Sequence, residues 1–390
     1  MSQKVEAYLA KKKNSAKSPE VAENFQTLEK NYVKKLWHQL SVEVKKVVNN
    51  PKFVAEIDLK DFYDNFIYEF ELRINAYDLV EIVMPVARQI FEKNHEEAFE
   101  FLGKIEKTVR RDKQALVRAY AAQIELHLSN KDPSGKCIDI NNIRNMIETA
   151  QKLLDELTGV TPVHATFYKV SAVYLREIGN FAAYYREALR YLGCEDIQRL
   201  SKEEKHMQAM LLGFAALLGE NIYNFGELLA HPILKALEGT PESWLVDVLF
   251  AFNSGDLQKF RQFEKQWGQW PDIVRHKELL ENKIRLLCLM EIAINRPSKE
   301  RYISFTEISQ RAFVDANNVE FLVMKALSKG LVRGSIDQVE QKVNITWIQP
   351  RVLDLKQISS MADRIGDWRK DVESMETVVR DNAKEILMKA

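Results

Sequence analysis

Apolar residues recur at helical spacing along most of the chain. Leu36, Leu40, Val44, Val47 and Val48 fall on one helical face, and Pro51 ends that helix. Phe62, Phe66, Ile67 and Phe70 line a second face. The pattern Leu79–Phe91 encloses Pro85, whose missing N–H and bulky ring predict a kink or a split. Ala98–Val109 and Gln114–Leu128 read as a helical hairpin, closed by Lys131-Asp132-Pro133-Ser134-Gly135. Ile138–Leu157 follows. His164–Ile178 and Phe181–Leu192 then form another pair, joined at Gly179-Asn180. Breaks at His231-Pro232, Gly239-Thr240-Pro241, Ser254-Gly255, Trp270-Pro271 and Arg296-Pro297 divide the rest. Hairpins return roughly every 35 to 40 residues without a strict motif. The expectation is a mostly α chain: a right-handed, irregular helical-repeat solenoid in which each hairpin buries one face on its neighbours. Tyr184, Tyr185, Tyr191 and the six tryptophans are expected to fill inter-helix packing.

One block departs from this pattern. Ser304 with Glu307 makes a capping-box start for a short helix over Phe305–Ala312. Asp315 then caps a helix with Val319, Leu322, Val323, Ala326 and Leu327 on its apolar face. Gly330 stands where a left-handed C-cap is wanted. Leu331–Ile336 and, after a polar turn, the alternating Val343, Ile345 and Trp347 read as two strands. Pro350 lacks a ladder donor and places the second strand at a sheet edge. Two short helices and a hairpin make a winged helix. Its second helix carries Glu320, Lys325 and Lys329, with Arg333 beyond it. That is not the Arg-rich face that phosphate and base contacts need, so a protein-binding module is favoured over a DNA reader.

The closing segment has the cleanest period. Ile358, Ile365, Val372, Val379 and Ile386 are spaced by seven, with Met361, Trp368 and Met375 three residues after the first three. Asp363, Arg364, Asp367, Arg369, Lys370 and Asp371 keep its other faces polar. Such a seam is buried either on the chain's own helices or in a bundle with helices of other subunits. The strict spacing and terminal position favour the bundle.

Composition adds limits. The 390 residues hold 56 Lys+Arg and 56 Asp+Glu, so no global charge draws the chain to nucleic acid or acidic membranes. The run Leu286–Met290, interrupted on its flanks by Arg285 and Glu291, is too short for a membrane span and reads as a buried helix. Cys137, Cys194 and Cys288 form no CxxC pair and are expected as reduced, buried thiols. Lys11, Lys12, Lys13 and Lys17 sit in a polar start, expected as a solvated flexible tail rather than a nuclear signal. No GxxxxGK, GxGxxG or GxSxG occurs, and His38, His95, His127, His164, His206, His231 and His276 form no HxH, HExxH or HxxxH. His95-Glu96-Glu97 lacks a PCxxC partner and reads as helix surface. No catalytic residue, cofactor site or metal site is expected.

Six strings carry a resemblance: residues 34–40 (KKLWHQL), 184–194 (YYREALRYLGC), 224–229 (NFGELL), 251–255 (AFNSG), 322–327 (LVMKAL) and 346–354 (TWIQPRVLD). In this order they resemble the PCI-domain subunits of the 26S proteasome regulatory particle lid, of the non-ATPase regulatory subunit 13 type. The resemblance implies a tail at 1–19, a solenoid at 20–178, a PCI domain at 179–353 and a bundle helix at 354–390. Within the PCI domain the helical repeats run to about 300 and the winged helix spans 302–353. It implies a non-catalytic scaffold that supports lid assembly and ATP-dependent degradation of ubiquitinated proteins. Its partners would be other lid subunits, both PCI-containing and metalloprotease-type, with no small-molecule substrate, nucleic acid or membrane, in cytoplasm and nucleus. Val343, Ile345 and Trp347 would meet a neighbour at the winged-helix edge. Ile358, Met361, Ile365, Trp368, Val372, Met375, Val379 and Ile386 would form the bundle seam. Two alternatives stay open: a PCI scaffold of a sister complex, the signalosome or the multi-subunit translation initiation factor, and a nucleic-acid-binding winged-helix protein.

Overall fold

The computed structural model describes residues 2–15, 18–133, 135, 137–297, 300–352 and 355–383. Contacts divide the chain into two compact units, Met1–Asp196 and Ile197–Ala390.

The first unit is built of helices that each pack on near neighbours in the chain. Its core centres on a file of rings: Phe25–Phe53, Phe53–Phe62, Phe62–Phe66 and Phe66–Phe70 centroids lie 5.3, 5.5, 5.2 and 5.1 Å apart. Phe62, Phe66, Ile67 and Phe70 are all fully buried, but one helix does not carry them. The helix Leu59–Asn65 stops, and two 3₁₀ turns (Ile67–Glu69, Glu71–Arg73) continue. Pro85 leaves the helix Ala76–Lys93 in one piece. Asn75, Asn94 and Asp112 each accept a backbone N–H at the start of successive helices, which fixes the hairpin turns. Gly179 closes the helix Pro162–Ile178 at φ +80°.

The start of the chain corrects one expectation. Residues read as a flexible tail form a helix, Ser2–Ser15, with Val5 and Leu9 buried in the main core. Val5, Tyr8 and Leu9 carry the i, i+3, i+4 signal, which the neighbouring lysines obscured. Lys12 pairs with Asp61 at 2.9 Å, and the Tyr8 hydroxyl donates to the same carboxylate.

In the second unit the helix Lys277–Ile294 runs through the core and buries ten residues, as its apolar run implied. Cys288 on this helix is buried, and burial pushes its thiol up to about 11. Gly255 ends the helix Trp244–Ser254 at φ +67°. A Cβ there would lie 2.5 Å from the Cα of Cys288, so only glycine lets the two backbones meet.

Lys283 is the polar exception in this core, only 4% exposed. Its Nζ donates to the carbonyls of Ala216, Leu217 and Gly219 at 2.7, 3.0 and 2.9 Å. It therefore caps the C-terminal end of the helix Lys202–Leu218 from a neighbouring helix. Burial, helped by the nearby Lys329 ammonium, pushes the Lys283 ammonium down to about 7. The unfolded chain keeps this proton up to about 10.5, so between the two values it binds more protons than the folded chain, and stability rises with pH. The expected slope is at most about 1.4 kcal/mol per pH unit. Denaturant titrations from pH 6.5 to 9 should show that slope in the wild type, and its loss in Lys283→Met.

The sheet has three antiparallel strands: β1 (Tyr302–Ser304), β2 (Val332–Asp337) and β3 (Lys342–Ile348), in the order β1-β3-β2. Helices Phe305–Ala312 and Ala316–Ser328 lie between β1 and β2 in the chain. Ser304 accepts the Glu307 N–H at 3.3 Å, which is half of the expected capping box; the Glu307 carboxylate is bonded by Arg296 instead. Gly330 is left-handed at φ +68°, and the N–H groups of Gly330 and Leu331 reach back to Leu327 and Ala326. The two helices and the wing hairpin are therefore where the sequence placed them. The long helix Leu355–Asn382 closes the described chain.

Candidate partner-binding surfaces

β3 is the middle strand of the sheet, which corrects the expected edge placement of Val343, Ile345 and Trp347. β1 was missed because three residues are too few to show alternation. It pairs Tyr302, Ile303 and Ser304 with Asn344, Val343 and Lys342. Pro350 follows the last paired residue, Ile348, so its missing N–H breaks no ladder bond. The outer strands are β1 and β2. Val343 and Ile345 are each 1% exposed and offer no side-chain surface; Trp347 is 36% exposed. Between Arg333 and Gly334 the ladder slips by one residue. A Cβ on Gly334 would come within 1.9 Å of the Asn344 carbonyl oxygen, so the bulge demands glycine.

The second winged-helix helix presents apolar side chains where a nucleic-acid reader would present donors. Phe321 and Met324 are 68% and 50% exposed. Two basic groups nearby are engaged within the chain, while Lys325 is exposed: Lys329 donates to Asn221 at 2.9 Å, and the Arg333 guanidinium lies 4.7 Å from the centre of the Trp347 ring. Such a face suits protein better than phosphate.

Between the sheet and the closing helix, residues 349–352 are pinned to the unit's helical core. The Arg351 guanidinium, 3% exposed, is bonded to the Glu291 carboxylate and donates to the Asn253 carbonyl at 3.1 Å. Val352 donates its N–H to Asn224 Oδ1 at 3.2 Å, and a Cβ on Gly226 would come within 2.4 Å of the Val352 carbonyl oxygen. This clamp fixes the point from which the closing helix departs.

Beyond the clamp the seam is uncovered. Ile358, Met361, Ile365, Trp368, Val372, Met375 and Val379 are 49, 53, 56, 68, 49, 67 and 58% exposed. The seam is thus not packed on the chain's own helices among the described residues. Ile386 and the expected winged-helix limit, Leu353, lie outside the described residues. The surface helix is held by pairs such as Arg369–Glu373 and Arg380–Glu376, which stabilise it without covering the seam. Trp347 and Trp368 also depart from the expectation that every tryptophan fills internal packing; Trp267, at 1% exposed, meets it.

Among the described residues no group of three His, Cys, Asp or Glu is placed to hold a metal ion. No described helix is long and apolar enough to cross a membrane.

Comparison with known proteins adds to this geometry. The family model "PSD13 N-terminal repeats" matches residues 24–249, and "PCI domain" matches 257–347. The "26S proteasome non-ATPase regulatory subunit 13" of Dictyostelium discoideum is 36% identical over 379 residues, covering 95% of both chains. Homolog B of that subunit in Arabidopsis thaliana is 37% identical over 367 residues, 93% of both chains. In contrast, "Eukaryotic translation initiation factor 3 subunit M" of Aspergillus clavatus is 29% identical over 187 residues, 46% of this chain and 38% of that one.

Proposed function

Since the chain belongs to the family of 26S proteasome non-ATPase regulatory subunit 13, we infer that it is a structural subunit of the proteasome regulatory particle lid. Its task is to hold position among other lid subunits and so to support ATP-dependent degradation of ubiquitinated proteins. It acts by contact rather than catalysis. Lid deubiquitination belongs to a subunit type with an HxH metal motif, and no HxH occurs in this sequence. The setting is cytoplasm and nucleus.

The observation that carries this reading is the uncovered seam of the closing helix. Seven apolar residues in heptad register, each about half exposed or more, form a stripe that water alone does not stabilise. Helices of other lid subunits, in a shared bundle, would cover it. Proteasomal relatives match more than nine-tenths of the chain, while the translation-factor relative matches less than half, which favours the proteasome over a sister assembly.

Native mass spectrometry of the tagged protein isolated from its own cells tests this directly. The expected result is a set of regulatory-particle subunits at unit stoichiometry. Recovery with translation-factor or signalosome subunits, or as a free monomer, would overturn it.

A further inference from the structure

A groove of about 1070 Å³ separates the closing helix from the end of β3. Met361, Arg364, Ile365 and Trp368 form one wall, and Trp347 and Arg301 belong to the other side. The first four follow i, i+3, i+4, i+7 and so share one helical face. Two tryptophans from separate elements line one open space, 36% and 68% exposed. Tryptophan is the side chain most enriched where a few residues dominate binding.

The charges of the groove have one sign. Arg364 has no ion pair or hydrogen bond among the described residues. Arg301 reaches only a backbone oxygen, that of Arg296, at 3.3 Å. Arg351, which also lines the groove, is already spent on Glu291. Asp367 is not among the lining residues and is engaged by Lys370 at 3.1 Å. Arg301 and Arg364 are thus two guanidiniums without a carboxylate partner among the described residues, in a groove that Met361, Ile365 and both tryptophans also line.

We propose that one amphipathic helix of a single neighbouring subunit, with an acidic flank beside its apolar stripe, fills this groove and touches both tryptophans. The sheet end and the first half of the seam would then be one composite site, not two contacts to two partners. A helix is favoured over a strand because Met361, Ile365 and Trp368 present heptad knobs, which mesh with the holes of a facing helix. The acidic flank follows from Arg301 and Arg364, whose guanidiniums suit bidentate carboxylate contacts. This inference rests on the lid reading above.

Photo-crosslinking amino acids placed at Trp347 and, separately, at Trp368 test the proposal in the assembled particle. The expected result is that both positions capture the same helical segment of the same partner. Capture of different chains, or of a partner at only one position, overturns the composite site and leaves the lid reading intact. Failure of the wild-type chain to assemble with lid subunits removes the lid reading itself. The charge argument is tested with Arg301→Glu/Arg364→Glu, expected to weaken assembly about tenfold or more at low salt in competition with wild type. Arg301→Lys/Arg364→Lys should keep most of that affinity. Equal incorporation of the charge-reversed variant and the wild type would overturn the acidic flank.

Discussion

Ile365→Asp combined with Val372→Asp is expected to leave the isolated chain folded and to remove it from the regulatory particle. In the free chain these side chains are 56% and 49% exposed, so each aspartate stays in water. The cost there is mainly the lower helix propensity of aspartate, about half a kcal/mol per site. Inside a bundle the same carboxylates would be stripped of water without a cationic partner, at a cost of several kcal/mol. Each 1.4 kcal/mol is about tenfold in affinity, so the pair should reduce co-purification with lid subunits by at least about a hundredfold. Thermal unfolding of the isolated variant, run beside a pull-down of tagged protein, reads both effects. Truncation before Ile358 should behave in the same way, since Arg351 and the sheet remain to hold the rest of the unit. Normal co-purification of either variant would refute the bundle role. Unfolding of the isolated double variant would mean that the seam is packed within the chain.

What the sequence made legible follows from where its signals are local. Helix caps depend on two or three adjacent residues, and Ser304 and Gly330 could be read directly, whereas Asp315 holds its N-cap position without a side-chain bond. The heptad seam was visible because it runs unbroken from Ile358 to Val379. The errors arose where the deciding partner is distant. β3 looked like an edge because its partner β1 is three residues long and lies some forty positions earlier, before both helices. The first helix looked like a tail because its lysines suggested solvent, while its carboxylate partner for Lys12 is Asp61. Lys283 gave no signal at all. A lysine inside an apolar helix reads as a surface residue until the three carbonyls that receive it are in place. Several strings that carried the family resemblance now have a physical reason. Gly226, Gly255 and Arg351 are points where one stretch of backbone meets another across the second unit. Substitution there would disturb packing that many residues share.

The second large effect is expected at Arg351. Arg351→Met removes the guanidinium from a Glu291 carboxylate whose side chain is 16% exposed, and it orphans one bond to the Asn253 carbonyl. Breaking a buried ion pair from one side costs roughly 3 to 5 kcal/mol, because the carboxylate loses its guanidinium partner. The effect should therefore appear as a marked fall in the melting temperature of the isolated chain, unlike the seam variants, which leave it in place. A second consequence is local. Residues 349–352 carry the clamp from which the closing helix departs, so its first turns should exchange amide hydrogens faster in Arg351→Met than in the wild type. Removing both charges separates the two contributions. Arg351→Met/Glu291→Leu should recover most of the lost stability, since paired apolar replacements leave no uncompensated charge. It should not recover the full rate of assembly, because the bond that ties residue 351 to the Asn253 carbonyl is still missing. If the double variant is no more stable than Arg351→Met, the Glu291 pair is not what fixes the segment. The backbone approach of Val352 to Gly226 would then have to carry that role, and Gly226→Ala would be the variant that releases the closing helix.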